Sequence, residues 1–147
     1  MIEVRVQPGP FDPGAELAQL EALGGGGVAS FTGIVRGDGG LVSLELEHYP
    51  GMTEATLREI AGEAMARWPL VGTILIHRHG VLVPGERIVF VGTASAHRAA
   101  AMEACAYLID WLKTAAPFWK RERFGDGSAR WVAARAADDA AAARWQR

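Results

Sequence analysis

Two apolar runs in the middle of the chain constrain its fold most strongly. Residues 73–79 and 86–95 are rich in β-branched and apolar side chains on both faces, which is typical of strands inside a sheet. Between them, Pro84 and Gly85 form a turn-favouring pair. The sequence therefore predicts a central β-hairpin that packs under helices.

Three segments have the residue spacing of amphipathic helices. Asp12 and Pro13 suit the N-cap and the first residue of a helix that ends near residue 23. In the second segment, residues 53–67, the predicted buried face carries Leu57, Ile60, Ala61, Ala64, Met65 and, just beyond the segment, Trp68. In the third, residues 97–114, Ser95 is the predicted cap and Pro117 ends the helix. Its predicted apolar stripe comprises Met102, Cys105, Ile109 and Leu112.

Alternation of apolar and polar residues predicts strands in the first third of the chain. Residues 2–6 alternate in this way and form the first predicted strand. Residues 28–36 and 41–49 are predicted to pair as a hairpin, with the glycine-rich segment 37–40 as its mobile tip.

The last quarter of the chain predicts two short strands and a helix. The strands are expected at residues 118–122 and 131–135, and the alanine-rich tail that ends in Trp145 predicts a weakly anchored helix. Together the elements predict a single α+β domain over residues 1–147. In this domain antiparallel β-hairpins pack against helices, with a small added α+β subdomain.

Charge and cysteine content exclude several classes of function. Fifteen basic and seventeen acidic residues give a net charge of -2, so nucleic acid is not an expected partner. Cys105 is the one cysteine, which excludes an internal disulfide, and its position on an apolar stripe indicates an inert, buried thiol. Because the N-terminus lacks a signal-peptide pattern and the apolar stretches are short, we expect a cytoplasmic protein without a membrane partner.

Charged side chains collect at the ends of the predicted elements. Arg36 ends a strand, His97 and Arg98 begin a helix, and a further group lies around Pro117, namely Lys113, Lys120, Arg121 and Glu122. If these segments converge, they form a pocket for a phosphate or carboxylate. Each residue taken alone is more often a solvated surface charge.

Residues 113–120 have two readings. Two lysines flank a helix stop and the aromatic pair Phe118 and Trp119, and a partly desolvated lysine near another cation becomes a nucleophile or general base. In the other reading, the aromatic pair anchors a strand and both lysines extend into solvent. Spacing alone leaves both readings open.

His77 and His79 raise the question of a metal site. They lie on one face of a predicted strand, with His48 and His97 as possible further ligands. Alternating histidines are more often interfacial or hydrogen-bonded core residues, so a metal-dependent hydrolase is the less favoured hypothesis. The glycine runs match neither a P-loop nor a dinucleotide fingerprint, which argues against nucleotide binding.

Five segments, in the same order, closely resemble the large subunit of molybdopterin synthase, the MoaE family. They are Phe31-Thr-Gly-Ile-Val-Arg36, Leu46-Glu-His-Tyr-Pro-Gly-Met52, Ile76-His-Arg-His-Gly80, Ser95-Ala-His-Arg98 and Leu112-Lys-Thr-Ala-Ala-Pro-Phe-Trp-Lys-Arg-Glu122. The resemblance extends from about residue 28 to residue 145. The last segment, with its two lysines, is the most specific to the family.

The resemblance implies a fold, an activity and a set of partners. The implied fold is an α/β hammerhead, and the implied assembly is a homodimer that binds two small ubiquitin-like sulfur-carrier subunits of the MoaD type, a heterotetramer. Each carrier inserts its C-terminal Gly-Gly tail. The implied activity is that of a sulfurtransferase of molybdenum cofactor biosynthesis. It moves sulfur from the tail's thiocarboxylate to cyclic pyranopterin monophosphate, forming the dithiolene of molybdopterin, without a metal or other cofactor.

The resemblance also assigns site residues. The catalytic pair falls on Lys113 and Lys120, with Lys113 as nucleophile or acid-base residue and Lys120 as its electrostatic partner. The substrate-binding residues fall on Ile34, Val35, Arg36, His97, Arg98, Arg121 and Glu122. The glycine-rich loop 37–40 is shorter than is usual in the family. The alternative function is a non-catalytic module that binds a ubiquitin-like carrier tail.

Overall fold

The computed structural model describes residues 1–132 and 136–145 of the chain. The helices in these ranges are α1 (Pro13–Glu21), α2 (Met52–Arg67), α3 (Arg98–Ala115) and α4 (Ala136–Ala143). The strands are β1 (Ile2–Gln7), β2 (Gly27–Ile34), β3 (Leu41–His48), β4 (Leu70–Arg78), β5 (Gly80–Leu82), β6 (Arg87–Ser95), β7 (Phe118–Phe124) and β8 (Ala129–Trp131). The predicted α+β class is confirmed.

The strands form two four-stranded sheets. The first sheet has the order β1-β4-β6-β2, and the second has the order β5-β3-β7-β8. The predicted central hairpin is confirmed, because β4 and β6 pair antiparallel. Its connection contains β5, which pairs with β3 and so joins the two sheets. β1 pairs parallel with β4, whereas antiparallel hairpins were expected throughout.

The predicted hairpin of residues 28–36 and 41–49 is wrong. Both segments are strands, but β2 pairs with β6 and β3 pairs with β5 and β7, so they belong to different sheets. A 3-10 turn at Asp38–Gly40 separates them, and Gly39 and Gly40 have φ angles of 66° and 80°, which favour glycine. Alternation predicts that a segment is a strand, but it does not choose the strand's partner.

Helix α3 differs from its prediction at the cap and in its buried face. His97 occupies the N-cap position, and the Ser95 hydroxyl instead donates to the Pro69 carbonyl at 2.9 Å. Met102, predicted to be buried, is 63% exposed. The buried face comprises Ala101, Ala104, Cys105, Tyr107, Leu108 and Leu112. Ala101, Ala104, Cys105 and Leu108 share one face at helical spacing, and Met102, the residue after Ala101, is rotated about 100° away from it.

The first sheet is buried on both faces. On one face Leu75, Val89 and Val91 belong to a cluster with residues of α2 and α3, and on the other face Ile74 and Phe90 pack with residues of α1. Burying a side chain of this size contributes about 1.5–3 kcal/mol. A smaller cluster of Val35, Leu46 and Leu82 lies at the second sheet. The apolar core is therefore concentrated around the first sheet.

The C-terminal segment is better anchored than expected. The predicted helix is present as α4, and Trp145 beyond it packs edge-on against Trp68 and Tyr107 with ring centroids 5.7 Å apart in each pair. The Trp145 indole also donates to Asp110 at 2.6 Å. The strand predicted at residues 131–135 overlaps β8, Ala129–Trp131, at Trp131 alone: residue 132 is not in a strand, and residues 133–135 lie outside the described ranges.

None of the helices in the described ranges is long and apolar enough to cross a membrane.

Candidate active site

The connection between α3 and β7 carries the two lysines. Lys113 lies in the last turn of α3, and Lys120 is in the first half of β7. Between them, the Pro117 carbonyl accepts a hydrogen bond from the hydroxyl of Thr53, a fully buried residue in the first turn of α2, at 3.3 Å. The Phe118 amide donates to the Ala116 carbonyl at 2.9 Å. The helix stop at Pro117 is thus tied to α2, which holds both lysines at one place.

Both lysines line a cavity of about 830 Å³ between the two sheets and the C-terminal end of α3. Its charged lining residues are Arg36, Lys113, Lys120 and Arg130, against Asp38 and Glu122. The apolar part of the wall includes Phe31, Ile34, Val35, Leu41, Leu44, Ile88, Val89, Phe118, Phe124 and Val132. Four cations against two carboxylates make this a cavity for an anionic ligand that also has an apolar surface.

Two ion pairs lie among the lining residues of the cavity. Arg36 Nε lies 3.0 Å from an Asp38 carboxylate oxygen, and both side chains are largely exposed. Arg130 Nε donates to Glu122 Oε1 at 3.1 Å, and the Glu122 side chain is the more buried partner. Exposed pairs of this kind contribute little to stability. Their cations can therefore exchange a carboxylate for a ligand phosphate at small cost.

Arg121 lies on the opposite face of β7. Successive side chains of a strand point to opposite faces, so Lys120 and Glu122 face the cavity while Arg121 faces outward. Its guanidinium carbon is 5.9 Å from the centroid of the Trp131 ring. The residue predicted from the resemblance to bind substrate is therefore separated from the cavity by the strand itself.

His97 and Arg98 lie at the other end of α3 from Lys113. The helix has 18 residues, which corresponds to a length of about 27 Å. His97 is its N-cap, and Lys113 is in its last turn. Within one chain, these two predicted substrate contacts are therefore far from the lysine cavity. The structure brings together Ile34, Val35, Arg36, Lys113, Lys120 and Glu122.

The family of this chain follows from sequence comparison. The family described as MoaE protein matches residues 6–115, which is most of the chain. A molybdopterin synthase catalytic subunit from Pseudomonas aeruginosa is 55% identical, over 97% of this chain and 98% of that protein. The chain belongs to the MoaE family.

Solved MoaE structures share this fold. A molybdopterin biosynthesis MoaE protein from Burkholderia ambifaria has a TM-score of 0.86 at 47% identity and covers 100% of this chain and 99% of its own. A molybdopterin synthase from Staphylococcus aureus has a TM-score of 0.80 at 31% identity, covering 87% of this chain and 95% of its own. The family resemblance predicted from the five sequence segments is confirmed.

A smaller cavity of about 60 Å³ lies beside the main one in this MoaE chain. Lys113 and Lys120 line it together with His77, Ile88, Val89, Leu112, Ala116 and Phe118. The His77 ring stacks on the Phe118 ring with centroids 3.7 Å apart and an interplanar angle of 19°. Burial is the largest effect and lowers the pKa of His77 to about 3. The bond to the Arg78 carbonyl, the next largest effect, raises it, and the charges of Lys120, Lys113 and His79 lower it again. His77 is therefore uncharged at neutral pH.

The metal hypothesis for His77 and His79 has no support in the MoaE geometry. His79 pairs with His48 at a centroid distance of 4.2 Å, while His77 stacks on Phe118. Burial lowers the pKa of His79 first and His48 lowers it further, while Glu54 opposes them. Within residues 1–132 and 136–145, no group of three or more histidine, cysteine or acidic side chains has a geometry that could hold a metal ion.

Sequence reasoning missed several residues of the MoaE cavity. Arg130 pairs with Glu122 across β7 and β8, and it could have been found from the hairpin register around the turn at residues 125–128. Asp38 could have been found from its position beside Arg36. The aromatic walls Phe31 and Phe124 carry no local signal, because only the contact between the two sheets makes them neighbours.

Proposed function

We propose that this chain is the catalytic subunit of a molybdopterin synthase. It transfers sulfur from the C-terminal thiocarboxylate of a small carrier subunit to cyclic pyranopterin monophosphate and so forms the dithiolene of molybdopterin. One observation carries the proposal: Lys113 and Lys120 share a cavity in a chain that is 55% identical, over 97% of its length, to a molybdopterin synthase catalytic subunit.

The main cavity suits the proposed substrate in size and chemistry. A volume of about 830 Å³ accommodates a pterin phosphate together with the end of a peptide tail. Arg36 and the two lysines supply positive charge for the phosphate, and Phe31, Phe118 and Phe124 supply apolar surface for a flat ring. We assign Ile34, Val35, Arg36 and Glu122 as substrate-binding residues.

The two lysines have separate proposed roles. Lys113 acts beside the thiocarboxylate, either as a nucleophile whose nitrogen replaces the departing sulfur on the acyl carbon or as an acid-base residue that activates a water to do so. Lys120 stabilises the negative charge that develops on the acyl oxygen while the carbon–sulfur bond breaks and the sulfur passes to the pterin. Ammonium groups held in a partly enclosed, apolar-walled site stabilise such charge more strongly than water does. The cavity walls around both lysines include Ile88, Val89 and Phe118.

The proposed partner is a small ubiquitin-like carrier of the MoaD type that ends in Gly-Gly. The name of the Pseudomonas aeruginosa relative, a catalytic subunit, describes one part of a larger enzyme. A tail without side chains suits the restricted space beside the two lysines. In the proposed heterotetramer, two chains of this protein form a homodimer and each binds one carrier.

His97 and Arg98 belong to the proposed site only if a second copy supplies them. They are at the opposite end of α3 from Lys113, so within one chain they do not reach the same ligand. We therefore propose that His97 and Arg98 of one protomer bind the substrate held by the lysines of the other. Arg121, on the outer face of β7, is a candidate for contact with the carrier or the second protomer.

The experiment that tests the function is single-turnover conversion of cyclic pyranopterin monophosphate with thiocarboxylated carrier, measured by fluorescence of the oxidised pterin. We expect product from the wild type. In Lys113→Ala and in Lys120→Ala we expect the rate to fall by at least about 100-fold, which is typical of removing one catalytic group. Arg123→Ala is the matched control, since Arg123 is an exposed cation on β7 that lies outside the cavity lining. Tight carrier binding without any product from the wild type would instead establish the non-catalytic binding module.

A further inference from the structure

His77 is the polar end of an otherwise apolar strand face. Side chains at every second position of β4 share a face, and on the face that packs against α2 and α3 the buried residues are Thr73, Leu75 and His77. His77 comes last in this series, beneath the C-terminal end of α3, where only 5% of its surface is exposed. A buried polar side chain at this position needs hydrogen-bond partners.

One ring nitrogen of His77 has a defined partner, and this fixes the tautomer. His77 Nδ1 lies 2.8 Å from the Arg78 carbonyl oxygen. A carbonyl oxygen only accepts, so Nδ1 carries the hydrogen and donates it. Because the ring is uncharged, with its pKa lowered by burial to about 3, Nε2 keeps a lone pair and is a hydrogen-bond acceptor. The bond to Arg78 is the one hydrogen bond that the His77 side chain makes with the described residues.

The surroundings of His77 supply donors for this acceptor. His77 lines the smaller cavity with Lys113 and Lys120, and every other side chain of that wall is apolar. Phe118, on which the His77 ring stacks, is two positions before Lys120 and so lies on the same face of β7. The positive charges of Lys120 and Lys113 both act on the imidazole, and that of Lys120 acts more strongly. An uncharged ring accepts a hydrogen bond from an ammonium group, whereas a protonated ring would repel it.

We propose that His77 is a positioning residue of the lysine pair: when the carrier tail binds, its Nε2 accepts a hydrogen bond from the Lys120 ammonium and directs that amine toward the acyl group of the tail. In the structure the two side chains line the same small cavity without a hydrogen bond between them. This role rests on the proposed sulfur transfer. It goes beyond the assigned substrate contacts, because His77 acts through Lys120 and touches neither reacting group.

Two substitutions separate this role from a purely structural one. In His77→Asn the side-chain amide stands near the position of Nδ1 and can still donate to the Arg78 carbonyl, but it does not reach the cavity. In His77→Gln the amide stands near the position of Nε2, where it still offers an acceptor to the cavity. A positioning role predicts that the Gln variant is active and the Asn variant is not, and a structural role through Arg78 predicts the reverse order.

The experiment measures single-turnover rate, KM for the pterin substrate and carrier affinity in both variants, with thermal melting to verify folding. We expect His77→Gln to stay within about 3-fold of the wild-type rate and His77→Asn to lose about 10- to 100-fold, the range for a hydrogen bond to a charged group. KM and carrier affinity stay unchanged in both, because the bound ligands keep their contacts. Equal rates in the two variants, or the reverse order, would overturn the proposal.

A double-mutant cycle identifies the lysine through which His77 acts. In a Lys120→Ala background, His77→Asn is expected to cause less than about a 3-fold further loss, because the amine that it positions is gone. If the full loss persists there and disappears in a Lys113→Ala background, the assignment to Lys120 is overturned. His77→Phe keeps the ring stack without either nitrogen and should match the Asn variant, which covers the case in which Asn fails to fold.

Failure of this inference and failure of the proposed function are distinguishable. A wild-type protein that binds carrier but forms no product contradicts the function. A wild-type protein that forms product, with equal rates in the Asn and Gln variants, contradicts only the role of His77.

Discussion

The two sheets differ in how much of their surface is buried. The first sheet is covered on one face by α1 and on the other by α2 and α3, and its interior residues Ile74, Leu75 and Phe90 are fully buried. The second sheet has one small cluster at its inner face and exposes Val81, Trp119 and Trp131. The lysine cavity lies where the two sheets meet. Apolar burial is therefore concentrated in the first sheet, while the charged cavity lies at its border with the second.

The largest expected effect is on the stability of the first sheet. Phe90→Ala removes a fully buried ring and should lower the free energy of unfolding by about 3–5 kcal/mol, measured by chemical denaturation. Val81→Ala in the second sheet is the matched control, since Val81 is 62% exposed and its truncation should cost less than about 0.5 kcal/mol. Comparable losses in the two variants would remove the proposed contrast between the sheets.

The next effect concerns activity and tests whether two copies share a site. Lys113→Ala and Arg98→Ala should each reduce turnover by about 100-fold. When the two variants are co-expressed, about a quarter of the sites should be intact, because half of randomly assembled dimers are mixed and each mixed dimer has one complete site. The measurement is single-turnover activity of the co-expressed sample.

Lys113→Ala co-expressed with Lys120→Ala serves as the control for this complementation. Both lysines come from one chain, so every site in a mixed dimer still lacks one of them and activity should stay low. Recovery in this control, or no recovery in the first mixture, would show that Arg98 does not complete the site of a second protomer.

A third effect concerns the smaller cavity, which His77 lines, and the stability of the protein at acid pH. Because burial lowers the pKa of His77 to about 3, the unfolded chain binds a proton below pH 6.5 that the folded chain rejects. Stability should therefore fall as the pH drops below 6.5, by about 1.4 kcal/mol per pH unit from this group, or about 2 kcal/mol at pH 5. The groups that act on the imidazole are Lys120, Lys113 and His79.

The check is chemical denaturation of the wild type and His77→Phe at pH 7 and pH 5. The wild type should lose about 2 kcal/mol more than the variant between these two values. His79, whose pKa is also lowered, is present in both proteins and so contributes equally. Equal losses in the two proteins would mean that His77 titrates normally and is not held uncharged.

The smallest expected effect is at the exposed rim of the cavity. Arg36→Ala should raise KM for the pterin substrate by about 10-fold, the contribution of one charge-assisted contact, with little change in single-turnover rate at saturation. Its melting temperature should stay within about 1 °C of the wild type, since the Arg36–Asp38 pair is exposed and contributes little to stability. A large drop in melting temperature would move Arg36 from the binding site to the structural framework.

Much of the fold and part of the site could be predicted from local sequence patterns. Helices α2 and α3, strands β4 and β6 and the stop at Pro117 follow from local periodicity and from backbone chemistry, which act within a few residues. The pairing of Lys113 with Lys120 around that stop is likewise a short-range feature, and the sequence singled it out.

The sequence by itself determined which segments are helices and strands, Lys113 and Lys120 as candidate site residues, and membership of the MoaE family. Only the tertiary structure decided that β2 and β3 lie in separate sheets, that His77 lies beside the lysine pair, and that His97 lies at the far end of α3. The physical reason is the distance along the chain over which each interaction acts. Periodicity and turn residues act locally, whereas strand partners and cavity walls depend on which distant segments exclude water together.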